Sequence, residues 1–245
     1  MRKVFSDGKA SFNLKLTPQA KAELARKPVI PSRGLVRGGF PSTKMGRLIA
    51  WESQLEQKAC YLFEFSDAVV SFHEQPISIT YEFEGRGCRY TPDFEVVYRS
   101  GAVCFVEVKP ARFLRNPDFS LRFKAIWDQL KHEGYEFGFL TDEELENGPL
   151  ISNLKLLRPY LRYDVPDTCI ADANELLIDQ GSVTYSQLLA SLKSPAHTLA
   201  LIAQGYLSID ITKPIEPESA LTISTYKEKD DETCLFSLRT ILDHQ

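Results

Sequence analysis

The chain has 245 residues, 43% of them hydrophobic, 25% charged and 11% aromatic; these are globular fractions, and they exclude a disordered, collagen-like or disulfide-dense protein. No run approaches the roughly 18 consecutive apolar residues of a membrane helix, so a soluble, cytoplasmic protein with no membrane partner is expected. The net charge of −4 is unevenly spread: residues 1–50 carry 11 Lys/Arg against 2 Asp/Glu, residues 51–165 carry 13 against 19, and residues 166–245 carry 5 against 12.

Residues 1–42, with Pro18, Pro28, Pro31 and Pro41 and the cluster Gly34, Gly38 and Gly39, cannot hold a long helix and read as a basic, mostly extended N-terminal arm. Such an arm suits a polyanion, where each neutralised phosphate releases counterions; a solvated tail is the bland alternative. From residue 54 to about 65 the spacing turns helical. Leu55, Ala59, Leu62 and Phe63 form one apolar stripe, and Ser53 is a good N-cap.

Strand signals follow. Val69, Val70 and Phe72 make a short apolar segment ended by Gln75-Pro76, and Ile77, Ile79, Tyr81 and Phe83 then alternate with polar residues. Gly85-Arg86-Gly87 turns the chain into a strand expected over 89–98. Ser100-Gly101 turns it again into 102–109, a run apolar enough for the centre of a sheet. A helix is predicted over 119–133, a strand over 135–140, and Thr141 as a helix cap. Helix, antiparallel strands, helix and strand make an α/β core over residues 43–165.

Pro166-Asp167 marks a boundary. Helices near 169–179, 184–192 and 194–204 precede two short strands at 206–211 and 221–225, the element order of a winged helix over 166–245. The five cysteines are scattered with no CxxC pair, so neither a zinc site nor a disulfide framework is expected. His73, His132, His197 and His244 show no ligand spacing.

The chemistry-bearing stretch is Tyr90-Thr91-Pro92-Asp93-Phe94 followed by Val106-Glu107-Val108-Lys109. On adjacent strands of a hairpin, Asp93 and Glu107 can meet at one point. Glu107 and Lys109 share a face because side chains alternate along a strand. Two acids on an apolar strand must be compensated by one another, by water or by a cation. Converging carboxylates suit Mg²⁺, which takes one or two of them and fills its remaining positions with water and phosphate oxygens. With Lys109 orienting or deprotonating a water, the set describes a phosphodiester hydrolase. An ordinary salt-bridged pair remains the alternative. Glu56 is a candidate third acid, equally readable as the far end of a Ser53 capping box, and Glu52 competes with it.

Ser53-Gln54-Leu55-Glu56 before a helix, Glu74-Gln75-Pro76, Tyr90-Thr91-Pro92-Asp93-Phe94 and Val106-Glu107-Val108-Lys109-Pro110, in this order, resemble the catalytic domain of TnsA. TnsA is the endonuclease subunit of heteromeric bacterial transposases, within the PD-(D/E)xK restriction-endonuclease-like superfamily. The resemblance covers residues 43–165; over 166–245 it rests on domain order alone. It implies a central mixed sheet flanked by helices plus a small winged-helix-like C-terminal domain. It also implies catalytic Glu56, Asp93, Glu107 and Lys109. Glu56, Asp93, Glu107 and the Val108 carbonyl would hold one or two Mg²⁺ ions, with Mn²⁺ able to substitute. Some members carry glutamine where Glu107 stands.

The implied reaction is hydrolysis of the 5′ strands at transposon ends in cut-and-paste transposition. A DDE-type partner, TnsB, cuts and joins the 3′ strands, and an AAA+ regulator, TnsC, is contacted through the C-terminal domain. Lys44, Arg47, Arg112 and Arg115 are candidate DNA contacts, as are Arg122 and Lys124, against the alternative of a solvated face. A stand-alone restriction-type or junction-resolving endonuclease, and a non-catalytic adaptor bridging transposase and targeting complex, stay open as alternatives.

Overall fold

The computed structural model describes residues 15–18, 37–83 and 86–224, so most of the basic arm, the Gly85 turn, Cys234 and His244 lie outside the described residues. The first continuous element is a hairpin of β2 (Gly38–Ser42) and β3 (Arg47–Trp51), with β1 (Lys15–Pro18) preceding it. Residue 42, expected as the end of the arm, is the last residue of β2. Phe40 and Ile49 are buried against the following helix, so the last residues assigned to the arm belong to the core. The proline and two glycines within β2 conceal a strand whose partner identifies it only in three dimensions.

Helix α1 (Gln54–Phe65) starts where Ser53 caps it, the Ser53 Oγ accepting the Glu56 N–H at 3.1 Å. Its Ala59, Cys60, Leu62 and Phe63 face the core. Lys44 and Glu64 clasp this helix to the hairpin. The Lys44 Nζ donates to the carbonyls of Phe63, Ser66 and Val69 at 2.6–2.8 Å, while Glu64 accepts the backbone N–H groups of Thr43 and Lys44.

The strands then divide between two sheets. β4 (Val69–Glu74), β7 (Phe94–Tyr98), β8 (Val103–Val108) and β9 (Glu136–Leu140) form a mixed sheet in the order β4-β7-β8-β9. β8 pairs antiparallel with β7 and parallel with β9, the crossover running through α2 (Pro117–His132). β5 (Ile77–Phe83) and β6 (Arg86–Tyr90) join β1 in a separate antiparallel sheet. The single strand expected over 89–98 is therefore two strands. Pro92 has no N–H to give a ladder, and the chain passes at Thr91-Pro92-Asp93 from one sheet to the other.

The central sheet is covered on both faces. Cys104, Val106 and Val108 pack toward α1 and the hairpin, whereas Phe105 joins Phe137, Phe139 and the α2 residues Phe123 and Ile126 on the other side. A mixed α/β structure with this central sheet and flanking helices fits the restriction-endonuclease-like core expected from the sequence.

After β9, Thr141 caps the short α3 (Asp142–Leu145) with a capping box, as its sequence suggested. α4 (Leu150–Leu157) was not anticipated, although Leu150, Ile151, Leu154 and Leu157 carry helical spacing. Beyond it come α5 (Asp167–Gln180), β10 (Val183–Thr184), α6 (Tyr185–Leu192), α7 (Pro195–Ala203), β11 (Leu207–Ile209) and β12 (Ala220–Ile223), the strands ordered β10-β12-β11. Two-residue β10 is too short to show a period in sequence. These elements enclose their own apolar cluster, including Leu177, Leu188, Leu201 and Leu221. Asn153 and Gln204 link them to the rest: the Asn153 amide donates to the Ile211 and Lys213 carbonyls, and the Gln204 amide to those of Tyr160 and Tyr163.

Candidate active site

At the carboxyl end of β8 the register pairs Phe94 with Val106, which sets Asp93 opposite Glu107 one step further along. The Asp93 Oδ2 accepts the Val108 N–H at 2.8 Å and lies 3.3 Å from the Lys109 Nζ. The same ammonium stands 3.0 Å from the Glu107 Oε1. Two carboxylates and one lysine therefore meet at one point.

Three surrounding groups hold this arrangement. The Gln75 N–H donates to the Asp93 carbonyl at 2.9 Å, with Gln75 in the left-handed region at φ 44°. A non-glycine residue there stores backbone strain next to the acids. Pro92 is buried behind Asp93. Tyr90 donates its hydroxyl to the Glu107 Oε2 at 2.6 Å. Tyr90 was missed in the sequence. Its signal was a tyrosine three residues before the aspartate, and this is commonplace without knowing that β6 ends at Tyr90 and the chain then crosses to the other sheet.

Burial pushes the Glu107 carboxyl up to about 7, with Asp93 adding to the rise and Lys109 and the Tyr90 hydrogen bond opposing it. Asp93 is also raised, chiefly by burial, against the pull of Lys109 and the Val108 N–H. Burial on its own would lower Lys109; the two carboxylates outweigh it and hold the amine above its ordinary value. One ammonium thus faces two acids whose charges repel, a site short of positive charge.

Glu56 is less closely placed. Its Oε2 accepts the Glu52 N–H at 2.7 Å, one residue before the expected Ser53 amide. Its carboxyl is raised by burial and then by Asp93, so it lies within electrostatic reach of the pair. Among the described residues, no three His, Cys, Asp or Glu side chains form a ready-made metal cluster. The structure brings together Asp93, Glu107 and Lys109 and leaves Glu56 beside them. Glu52, the competing acid, is exposed and pairs with Arg37.

The donors that are gathered fit a hard divalent cation. Val108 turns its N–H toward the β7 side, to Asp93, and its carbonyl faces the same way because both groups of a strand residue point to one side. The residue opposite is Pro92, which has no N–H to offer. The buried Glu107 and half-buried Asp93 carboxylates, with a carbonyl that has no ladder donor from β7, match the few protein oxygens that Mg²⁺ takes.

The candidate DNA contacts separate. Lys44 is taken up by its three carbonyls, and burial lowers it to about 8. Arg47 forms a two-pronged pair with Glu74 at 2.7 Å on each prong. Both are engaged by protein groups, Lys44 by those carbonyls and Arg47, which is exposed, by Glu74. Arg112 and Arg115 are exposed just beyond β8, Arg112 over the Phe113 ring and Arg115 against Glu143. Arg122 bonds the Tyr81 hydroxyl, and Lys124 is exposed. A cavity of about 530 Å³ lies elsewhere, lined by Lys44, Leu157, Ile202 and Tyr206 among others and by none of the clustered acids.

Residues 66–142 match the family model described as TnsA-like endonuclease N terminal, a span holding Asp93, Glu107 and Lys109. This segment is similar to a TnsA-like endonuclease N-terminal domain. Glu56 lies upstream of the matched span, and everything from residue 143 onward lies beyond it. Comparison with curated proteins found no match. No helix among the described residues is long and apolar enough to cross a membrane.

Proposed function

We propose that this TnsA-like protein is a Mg²⁺-dependent DNA endonuclease that hydrolyses the 5′ strands at transposon ends, as the nuclease subunit of a heteromeric transposase acting in the cytoplasm. The observation that carries the reading is the convergence of Asp93 and Glu107 on the Lys109 Nζ within the matched segment.

Asp93, Glu107 and the Val108 carbonyl would hold the cation, with Glu56 completing its surroundings directly or through water. A divalent ion bound there supplies Lewis-acid polarisation of the scissile phosphate and a more acidic water. Lys109, held protonated, serves as a positive charge and hydrogen-bond donor toward the phosphate oxygens, and in this state it is not a base. Tyr90, Gln75 and Pro92 keep the carboxylates in place. Arg112 and Arg115, exposed just beyond β8, would supply phosphate contacts beside the scissile bond.

Residues 166–245 serve as a winged-helix-like domain that contacts the regulatory ATPase. Its support is the order helix, strand, helix, helix, strand, strand with a three-stranded sheet, together with an acidic balance that suits a protein partner better than DNA.

The test is cleavage of a labelled transposon-end duplex by the full chain with its DDE-type partner and Mg²⁺. Nicks on the 5′ strand that vanish with Asp93→Asn support the proposal. Unchanged nicking by that variant overturns the site assignment. Cleavage by the isolated chain, indifferent to the partner, replaces the transposase role with a stand-alone nuclease.

A further inference from the structure

Glu107 is nearly closed off from solvent, 3% exposed, and each of its two oxygens has a different partner. Oε1 lies 3.0 Å from the Lys109 Nζ, on the side of Asp93. Oε2 accepts the Tyr90 hydroxyl at 2.6 Å. The Tyr90 ring cannot swing: it packs edge-on against Phe123 at 5.2 Å and Phe137 at 6.3 Å, and is itself 7% exposed. Tyr90 ends β6, which belongs to the sheet of β5, and only Thr91 and Pro92 separate it from Asp93. One short crossing segment therefore sets both the aspartate and the phenol.

We propose that Tyr90 is a positioning residue whose hydroxyl fixes the Glu107 carboxylate so that Oε1 alone faces the point shared with Asp93 and Lys109. The inference rests on the metal-dependent nuclease reading, because that shared point is where the cation of the reaction would sit. The physical argument is one of orientation. A buried carboxylate with a single partner can rotate and offer either oxygen, or both; a second, rigid donor removes that freedom before any ligand arrives. Groups that orient a metal-ligating side chain in this way typically change metal affinity 10–100-fold when removed.

The experiment measures Mn²⁺ binding to the full chain without DNA, by loss of the free-ion magnetic resonance signal, for the wild type, Tyr90→Phe and Phe137→Leu. Phe137 packs on Tyr90 and has no hydrogen-bonding group to offer Glu107, so it reports general loosening of the same core. Tyr90→Phe is expected to weaken Mn²⁺ binding about 10–100-fold, and Phe137→Leu to leave it unchanged at an equal or larger loss of melting temperature. Equal affinity for Tyr90→Phe and the wild type overturns the inference, as does an equal loss in both variants. A wild type that binds no Mn²⁺ defeats the nuclease reading itself, a separate outcome. Should Tyr90→Phe fail to fold, Tyr90→Met is titrated with Mn²⁺ in the same way. Weakened binding beside an unchanged Phe137→Leu supports the contact, and wild-type affinity overturns it.

Discussion

The Asp93 carboxylate accepts the Val108 N–H at 2.8 Å, so a side chain satisfies this backbone donor at the end of β8. The side chain thus has a structural duty as well as its place beside Glu107 and Lys109. Asp93→Ala leaves a half-buried N–H unpaired, a loss of about 1–3 kcal/mol. Asp93→Asn retains an acceptor for it. Both variants are expected to lose strand cleavage by at least about 10²-fold, with the Asp93→Asn protein melting close to wild type and the Asp93→Ala protein several degrees lower. Calorimetry with a nicking assay separates the two duties; cleavage retained in either variant contradicts the assignment.

Glu107 makes the metal-free protein sensitive to pH in a definite direction. Its carboxyl rises from 4.5 unfolded to about 7 in the fold, so the native state binds the proton more tightly than the unfolded chain. Its contribution is fully present below 4.5 and is lost as pH climbs through about 7. Asp93 and Glu56, also raised, act in the same sense. Urea unfolding of wild type relative to Glu107→Gln should show stability declining across that window, and saturating Mg²⁺ should flatten the slope by taking the proton's place. A difference that grows with pH contradicts the shift.

Lys44 is a fastener between the β2–β3 turn and the end of α1. Replacing it with Met strips three carbonyls of a charged donor, a loss of roughly 1.5–3 kcal/mol. Denaturant midpoints measure this. The salt dependence of DNA binding should not change, because the ammonium already faces inward.

The arginines beyond β8 should behave in the opposite way. Arg112→Ala and Arg115→Ala are each expected to reduce the slope of log affinity against log salt by about 1, with little effect on melting. Arg47→Ala should leave that slope alone and destabilise by roughly 1–3 kcal/mol, since Glu74 loses its partner while its side chain stays 8% exposed. Fluorescence anisotropy of a labelled duplex over a salt series distinguishes the two groups.

The local periods in the chain were sufficient for most elements and for the acid pair. The stripe of α1, the alternation of β5 and the offset between Asp93 and Glu107 are set by residues near one another in sequence, so spacing alone places them. What depended on distant partners was hidden. Residues 38–42 read as arm until Phe40 finds α1, and Lys44 read as a free cation until it meets the end of a helix 19–25 residues further along. Residues 89–98 read as one strand, because nothing in their period says that Pro92 carries the chain between sheets. Tyr90 gains its role only there. Which acids lie within reach of one amine was a matter of spacing; which oxygen each one turns toward it was decided by rigid neighbours that only the packed structure brings together.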